Sequence, residues 1–119
     1  MARILIIDDN PDDQLISKKF LSTVGYKEFM FSDTGEDGVE KAKSETPDLV
    51  ITDTMLPGID GFEVCRQIRG ALGDRVKIII MTGSVDAVDA VRARRMGTDD
   101  YVVKSKDPTL LLEAVKRLM

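Results

Sequence analysis

No histidine occurs among the 119 residues, which excludes imidazole chemistry: a histidine–cysteine zinc site, a serine–histidine–aspartate triad or a histidine general base. Cys65 is the single cysteine, so no intrachain disulfide can form, and a lone thiol suits a reducing compartment. Its place in the helical run Gly61 to Arg69 reads as a small buried hydrophobe. Long apolar runs are missing too: Ile4 to Ile7 and Ile78 to Met81 are far too short to span a bilayer. The first follows Met1-Ala2-Arg3 directly and Asp8-Asp9 cuts it off, which does not suit a signal peptide. Nor is there an excess of positive charge, since 17 basic side chains face 21 acidic ones for a net charge of -4. No basic field attracts nucleic acid or an anionic membrane surface. These absences point to a soluble, cytoplasmic protein with neither direct nucleic-acid binding nor membrane insertion.

The 43% hydrophobic content exceeds what disorder tolerates, and the length suits one domain, residues 1–119. Five short apolar runs alternate with helix-length segments: Ile4 to Ile7, Phe29 to Phe31, Leu49 to Ile51, Ile78 to Met81 and Tyr101 to Val103. The first, third and fourth have the continuous β-branched character of strands buried on both faces, whereas the second and fifth look like sheet edges.

Helix punctuation fills the intervals. Asn10 caps a first helix, Pro11 sits at its first position, Asp12 and Asp13 suit its positive end, and Gly25 follows its last apolar residue. Ile16, Phe20 and Val24 would bury one face of it. A second helix, about Glu36 to Ser44, rests on Val39 and Ala42 before Pro47. Asp60 opens the third, with Val64 and Ile68 inward; Ser84 opens the fourth, with Val85, Val88 and Val91 inward and Gly97 at its exit. Asp107-Pro108 opens the fifth as cap and first-turn proline; Leu110, Leu111, Ala114, Val115 and Leu118 form its core stripe, with Leu112 and Met119 outside it. Strand then helix, repeated five times, predicts an α/β domain with a mostly parallel sheet.

In a parallel sheet all strands end on one edge, where open α/β sheets place their sites. Asp8 and Asp9 follow the first run, Asp53 the third, Thr82 the fourth and Lys104 the fifth. Two carboxylates about 4 Å apart repel by roughly 4 kcal/mol at an effective dielectric near 20, so three acids require something positive between them. Hard oxygen donors without nitrogen or sulfur point to Mg²⁺, with Mn²⁺ as a substitute.

Asp8-Asp9, the stretch Asp53-Thr54-Met55-Leu56-Pro57-Gly58-Ile59-Asp60-Gly61, Met81-Thr82-Gly83 and Tyr101-Val102-Val103-Lys104 resemble the receiver domain of two-component response regulators, over about Arg3 to Leu118. The resemblance implies a doubly wound, flavodoxin-like fold: a five-stranded parallel sheet of order 2-1-3-4-5 flanked by five helices. It makes Asp53 the phosphoacceptor for a sensor histidine kinase or histidine phosphotransfer protein, a signalling component rather than an enzyme. Asp9 and Asp53 would ligate Mg²⁺ with the Met55 carbonyl, Asp8 acting largely through water. Lys104 and Thr82 would contact phosphoryl oxygens, and the amide at the small Gly83 would stay accessible. Thr82 and Tyr101 would form the switch that reshapes the surface of the fourth helix, fifth strand and fifth helix for a downstream protein target. A monomer that can dimerise on phosphorylation fits the same resemblance.

Two departures stand out. Ser105 follows Lys104 where most members have proline, so the peptide is either trans with the lysine re-aimed or cis at a cost. Met55 is apolar where fast-resetting members carry a polar group, which implies slow self-dephosphorylation. A phosphorylation-independent interaction module of the same fold would be expected to lose one of Asp9, Asp53, Thr82 or Lys104, and none is missing. A small aspartyl-nucleophile phosphatase needs an acid two residues after its first-strand nucleophile, and Asn10 or Pro11 stands there instead. Lys106 is read as a loop charge, and Arg92, Arg94 and Arg95 as a solvated face.

Overall fold

A computed structural model describes residues 2–83 and 87–119, with only the backbone described at 87 and 88. The alternation predicted from the apolar runs is present. The strands are β1 (Arg3–Ile7), β2 (Glu28–Ser32), β3 (Leu49–Asp53), β4 (Lys77–Thr82) and β5 (Asp100–Val103). Between and after them come α1 (Pro11–Ser22), α2 (Gly35–Glu45), α3 (Gly61–Leu72), α4 (Ala87–Arg95) and α5 (Thr109–Leu118). All strand pairs are parallel and the order is β2-β1-β3-β4-β5, with β2 and β5 at the edges as the sequence suggested.

Residues alternate across the sheet, and both faces are dry. Leu5, Ile7, Val50, Ile78 and Ile80 pack with Val39, Val64, Ile68 and Ala93 of α2, α3 and α4. Ile4, Ile6, Leu49, Ile51 and Ile79 pack on the other side with Leu21 of α1 and Leu111, Ala114 and Val115 of α5. Helices on both faces explain why the central strands read as unbroken apolar runs. Among the described residues no helix is long and apolar enough to cross a membrane.

Helix starts follow their capping residues. Asn10 accepts hydrogen bonds from the Asp12 and Asp13 amides, and Asp60 accepts one from the Glu63 amide at the start of α3. Thr34, a cap the sequence reading missed, accepts from the Asp37 amide and starts α2. At α5 the order differs from expectation: Pro108 is itself the capping position, while Asp107 accepts the amide hydrogen bond of Thr109.

Three predicted helix faces need correction. On α1 the buried residues are Ser17 and Leu21, with Phe20 half-buried, whereas Ile16 and Val24 are exposed. The stripe is turned by one residue, about 100°, because Leu21 docks on the sheet and Ile16 is left beside Lys104 and Lys106. On α4 Val91 is exposed and Ala93 is buried. Arg92 lies over the Phe62 ring, 4.4 Å from its centre, so the helix meets α3 through this side and not through Val91. The expected cap Ser84 and core residue Val85 lie outside the described residues, as does the side chain of Val88. On α5 Leu110 is half exposed, and Leu112 packs against the apolar cluster and borders a groove with Val24 and Tyr26. Leu111 and Val115, buried against the sheet, fix this rotation.

Candidate functional site

The parallel topology brings the strand ends to one edge. Asp53 is the last residue of β3, level with Met81, and Thr82 ends β4 level with Val103. Asp8 continues β1 through a bond from its amide to the Ser32 carbonyl, and the Lys104 amide donates to the Thr82 carbonyl. Each polar residue that follows an apolar run therefore arrives at the same place.

One carboxylate oxygen from each of Asp8, Asp9 and Asp53 lies within 4.8 Å of the others. Asp8 is buried, Asp53 half-buried and Asp9 exposed. Opposite them the Lys104 ammonium donates to Asp8 Oδ2 at 2.9 Å, Asp13 Oδ2 at 2.9 Å and Asp53 Oδ2 at 3.0 Å. The lysine is thus aimed at the carboxylates. No cis peptide occurs among the described residues, so the trans peptide before Ser105 delivers Lys104 to the site without proline.

The electrostatics follow from this geometry. Burial pushes the Asp8 carboxyl above its ordinary range, opposed by the Asn10 amide and the Lys104 ammonium. Burial also works against the charge on Lys104, but its hydrogen bonds to Asp13, Asp8 and Asp53 outweigh it and hold the ammonium above the usual lysine range. The lysine is a fixed positive charge at any physiological pH. One ammonium against four neighbouring carboxylates (Asp8, Asp9, Asp13 and Asp53) leaves a surplus of negative charge. An all-oxygen donor set with that surplus fits a hard divalent cation such as Mg²⁺.

Thr82 and Met55 stand at the same strand ends, while Tyr101 and Lys106 lie farther from them along the chain. The Thr82 side chain is buried and within 3.4 Å of the Thr54 hydroxyl, which donates to it. The Met55 amide donates weakly to Asp53 Oδ1 at 3.4 Å, and its side chain is 80% exposed beside the site. A β-carbon added at Gly83 would meet no atom of the described residues within 4 Å. Tyr101 packs against the α3 and α4 side of the core. Its hydroxyl is buried without a hydrogen-bond partner among the described residues. Lys106 is exposed on the loop, as expected.

Sequence reasoning missed three contributors. Asp13 was read only as a favourable charge at the start of α1, yet that turn faces the strand ends and carries its carboxylate to Lys104. Gly61 carries α3 up to β3: its amide donates to the Thr54 carbonyl, and a β-carbon there would lie 2.0 Å from the Asp53 carbonyl oxygen. Glu36, in the first turn of α2, accepts the Ile59 amide bond at 3.0 Å and closes the loop after β3. The signals were present for Gly61, directly after a capping aspartate, but nothing local reveals a contact across 23 residues.

Comparison with known proteins agrees with this arrangement. Residues 4–116 match the family model described as the response regulator receiver domain. Protein PilH of Pseudomonas aeruginosa is 34% identical over 120 residues, covering 100% of this chain and 98% of that protein. Transcriptional regulatory protein AfsQ1 of Streptomyces coelicolor is 40% identical over 104 residues, 87% of this chain but 45% of that protein. The chain therefore spans less than half of some relatives and nearly all of others. Among solved structures, response regulator protein TrrA from Thermotoga maritima, in complex with Mg(2+)-BeF, superimposes with a TM-score of 0.90 at 38% identity, covering 100% of both chains. A CheY-like receiver domain protein from Methanospirillum hungatei gives 0.88 at 31% identity, over 98% of this chain and 92% of that one. With the fold, the strand-end acids and a family match that runs nearly from end to end, the chain belongs to the receiver domains of two-component response regulators.

Proposed function

We propose that this chain is a phosphoacceptor: Asp53 takes a phosphoryl group from a phosphohistidine of a sensor kinase or phosphotransfer protein. The observation that carries this reading is the Lys104 ammonium bonded to Asp53 within a group of three converging carboxylates. An Asp53 oxygen attacks phosphorus in line; the new O–P bond forms as the P–N bond to imidazole breaks, and the histidine leaves with the electron pair. Lys104 holds Asp53 in place beforehand and turns one N–H to a phosphoryl oxygen afterwards. Thr82 offers its hydroxyl to another such oxygen, and the amide at the small Gly83 would face a third. Asp8, Asp9, Asp53 and the Met55 carbonyl would hold Mg²⁺ or Mn²⁺, which supplies positive charge against the phosphoryl oxygens. The chain accepts one group and releases it slowly, so it acts as a signal carrier rather than a turnover enzyme.

Movement of Thr82 toward the phosphoryl group would shift Tyr101 and with it the surface of α4, β5 and α5, the two-state element read by a downstream protein or by a second copy of the chain. Retention of Asp9, Asp53, Thr82 and Lys104 argues against a phosphorylation-independent module. Incubation with Mg²⁺ and acetyl phosphate, followed by intact-mass measurement, tests the reading. A single labile phosphoryl adduct that Asp53→Asn abolishes supports it. An unmodified wild-type chain, or an adduct that survives Asp53→Asn, overturns it.

A further inference from the structure

An ammonium has three N–H bonds, and Lys104 uses them on Asp8, Asp13 and Asp53 at 2.9, 2.9 and 3.0 Å. Two of these acceptors have a second task. Asp8 and Asp53 belong, with Asp9, to the carboxylates that converge tightly enough to hold a cation. Asp13 does not belong to that group among the described residues. A cation drawn to Asp8 and Asp53 competes with the lysine for the negative charge of the same two carboxylates, which loosens its hold on an ammonium carried by a flexible four-carbon stem.

We propose that Asp13 is a positioning residue: it is the acceptor Lys104 does not share, and it keeps the ammonium beside Asp53 when cation and phosphoryl group occupy the other carboxylates. The placement supports this. Asp13 lies in the first turn of α1, whose start is fixed by the Asn10 side chain accepting the Asp13 amide bond at 3.3 Å. The backbone carrying Asp13 is therefore anchored independently of the lysine. The Asp13 side chain is 36% exposed and that of Lys104 24%, so the pair is half withdrawn from solvent and less screened than a surface ion pair. On the other side of Lys104 the chain continues into Ser105 and Lys106, both exposed, and no bond from either reaches the lysine head group among the described residues. Asp13 is the tether that α1 supplies.

This inference rests on the phosphoacceptor reading for its purpose but not for its first test. The ζ-ammonium resonance of Lys104 is followed by ¹H–¹⁵N correlation with and without saturating Mg²⁺, in wild type and in Asp13→Asn, with no phosphoryl donor present. The expected result is a protected resonance that survives Mg²⁺ in the wild type and is lost with Mg²⁺ in Asp13→Asn. A resonance that responds to Mg²⁺ in the same way in both proteins overturns the proposal.

The second test compares phosphorylation by acetyl phosphate at varied Mg²⁺. Asp13→Asn is expected to lower the rate at saturating Mg²⁺ by about tenfold, the size of one charge-assisted hydrogen bond, and to lower Mg²⁺ affinity by a smaller factor. Asp13→Glu should recover part of the rate. An unchanged saturated rate with weakened Mg²⁺ binding would make Asp13 a charge on the cation and not a holder of the lysine. Should Asp13→Asn not fold, Asp13→Ser repeats both measurements with another residue tolerated at a helix start. Failure of the wild type to form any adduct would overturn the phosphoacceptor reading, while the resonance measurement would still decide the role of Asp13.

Discussion

Gly61 approaches Asp53 so closely that a β-carbon on Gly61 would lie 2.0 Å from the Asp53 carbonyl oxygen. The contact joins the first residue of α3 to the last residue of β3, so the helix start and the proposed acceptor are set by one backbone packing. Gly61→Ala must push α3 off the strand end. The expected loss is about 1–3 kcal/mol of stability, the usual range for overpacking, together with slower phosphorylation of Asp53. Urea unfolding and the initial rate with acetyl phosphate check both. A variant as stable and as reactive as wild type would show that the strand end yields without affecting the site.

Met55 lies beside Asp53 with its side chain 80% exposed, and a thioether cannot orient a water for attack on an acyl phosphate. Met55→Asn supplies an amide at that point. Phosphate release from the phosphorylated chain should accelerate by about tenfold, which corresponds to roughly 1.4 kcal/mol off the barrier. The decay of the adduct, followed by intact mass after donor removal, measures this. An unchanged half-life would remove Met55 from the account of slow resetting.

Cys65 is fully buried, and burial pushes its thiol up from 9.0 to about 11. The sign follows from linkage: the unfolded thiol ionises near its ordinary value while the folded one resists. The stabilisation is intact below pH 9 and is lost progressively between about pH 9 and pH 11, the loss reaching about 3 kcal/mol above that window at 1.36 kcal/mol per pKa unit. The measurement is a difference: unfolding free energies of wild type and Cys65→Ala at pH 8 and pH 10.5. The wild type should lose more on raising the pH. Equal losses would mean that the thiol is not shielded.

The architecture was legible because each level of the sequence agreed with the next. Apolar runs bounded by Asn10, Asp60 and Pro47 located elements, and the residues after the first, third and fifth runs pointed to the carboxylates and the lysine that converge at one edge. What was not legible was rotation about helix axes and contact across the sheet edge. Ile16 and Leu21 are equally apolar, and only docking decides that Leu21 goes inward. Leu110 and Leu112 exchange their expected roles for the same reason. Asp13 looked like a helix-start charge because its partner, Lys104, lies 91 residues away. Gly61 and Glu36 act through backbone proximity that no spacing encodes.

Tyr101 buries a hydroxyl with no partner among the described residues while its ring packs on the core. An unsatisfied buried hydroxyl costs about 1–3 kcal/mol, so Tyr101→Phe should be neutral or stabilising by about 1 kcal/mol. Tyr101→Ala should leave phosphorylation of Asp53 intact and reduce the ratio of partner affinities between phosphorylated and unphosphorylated forms. Thermal unfolding decides the first statement and titration of the partner decides the second. Destabilisation by Tyr101→Phe would reveal a bond to the hydroxyl, and an unchanged affinity ratio would exclude Tyr101 from the switch.

In the proposed function the acid at the end of β3, and not the neighbouring acids after β1, receives the phosphoryl group. Borohydride reduces an acyl phosphate to the corresponding alcohol and so turns the modified aspartate into homoserine, which peptide mass mapping can locate. After treatment with Mg²⁺ and acetyl phosphate, homoserine is expected at position 53 and nowhere else. Homoserine at position 8, 9 or 13, or none in a chain that carries phosphoryl label, would contradict it.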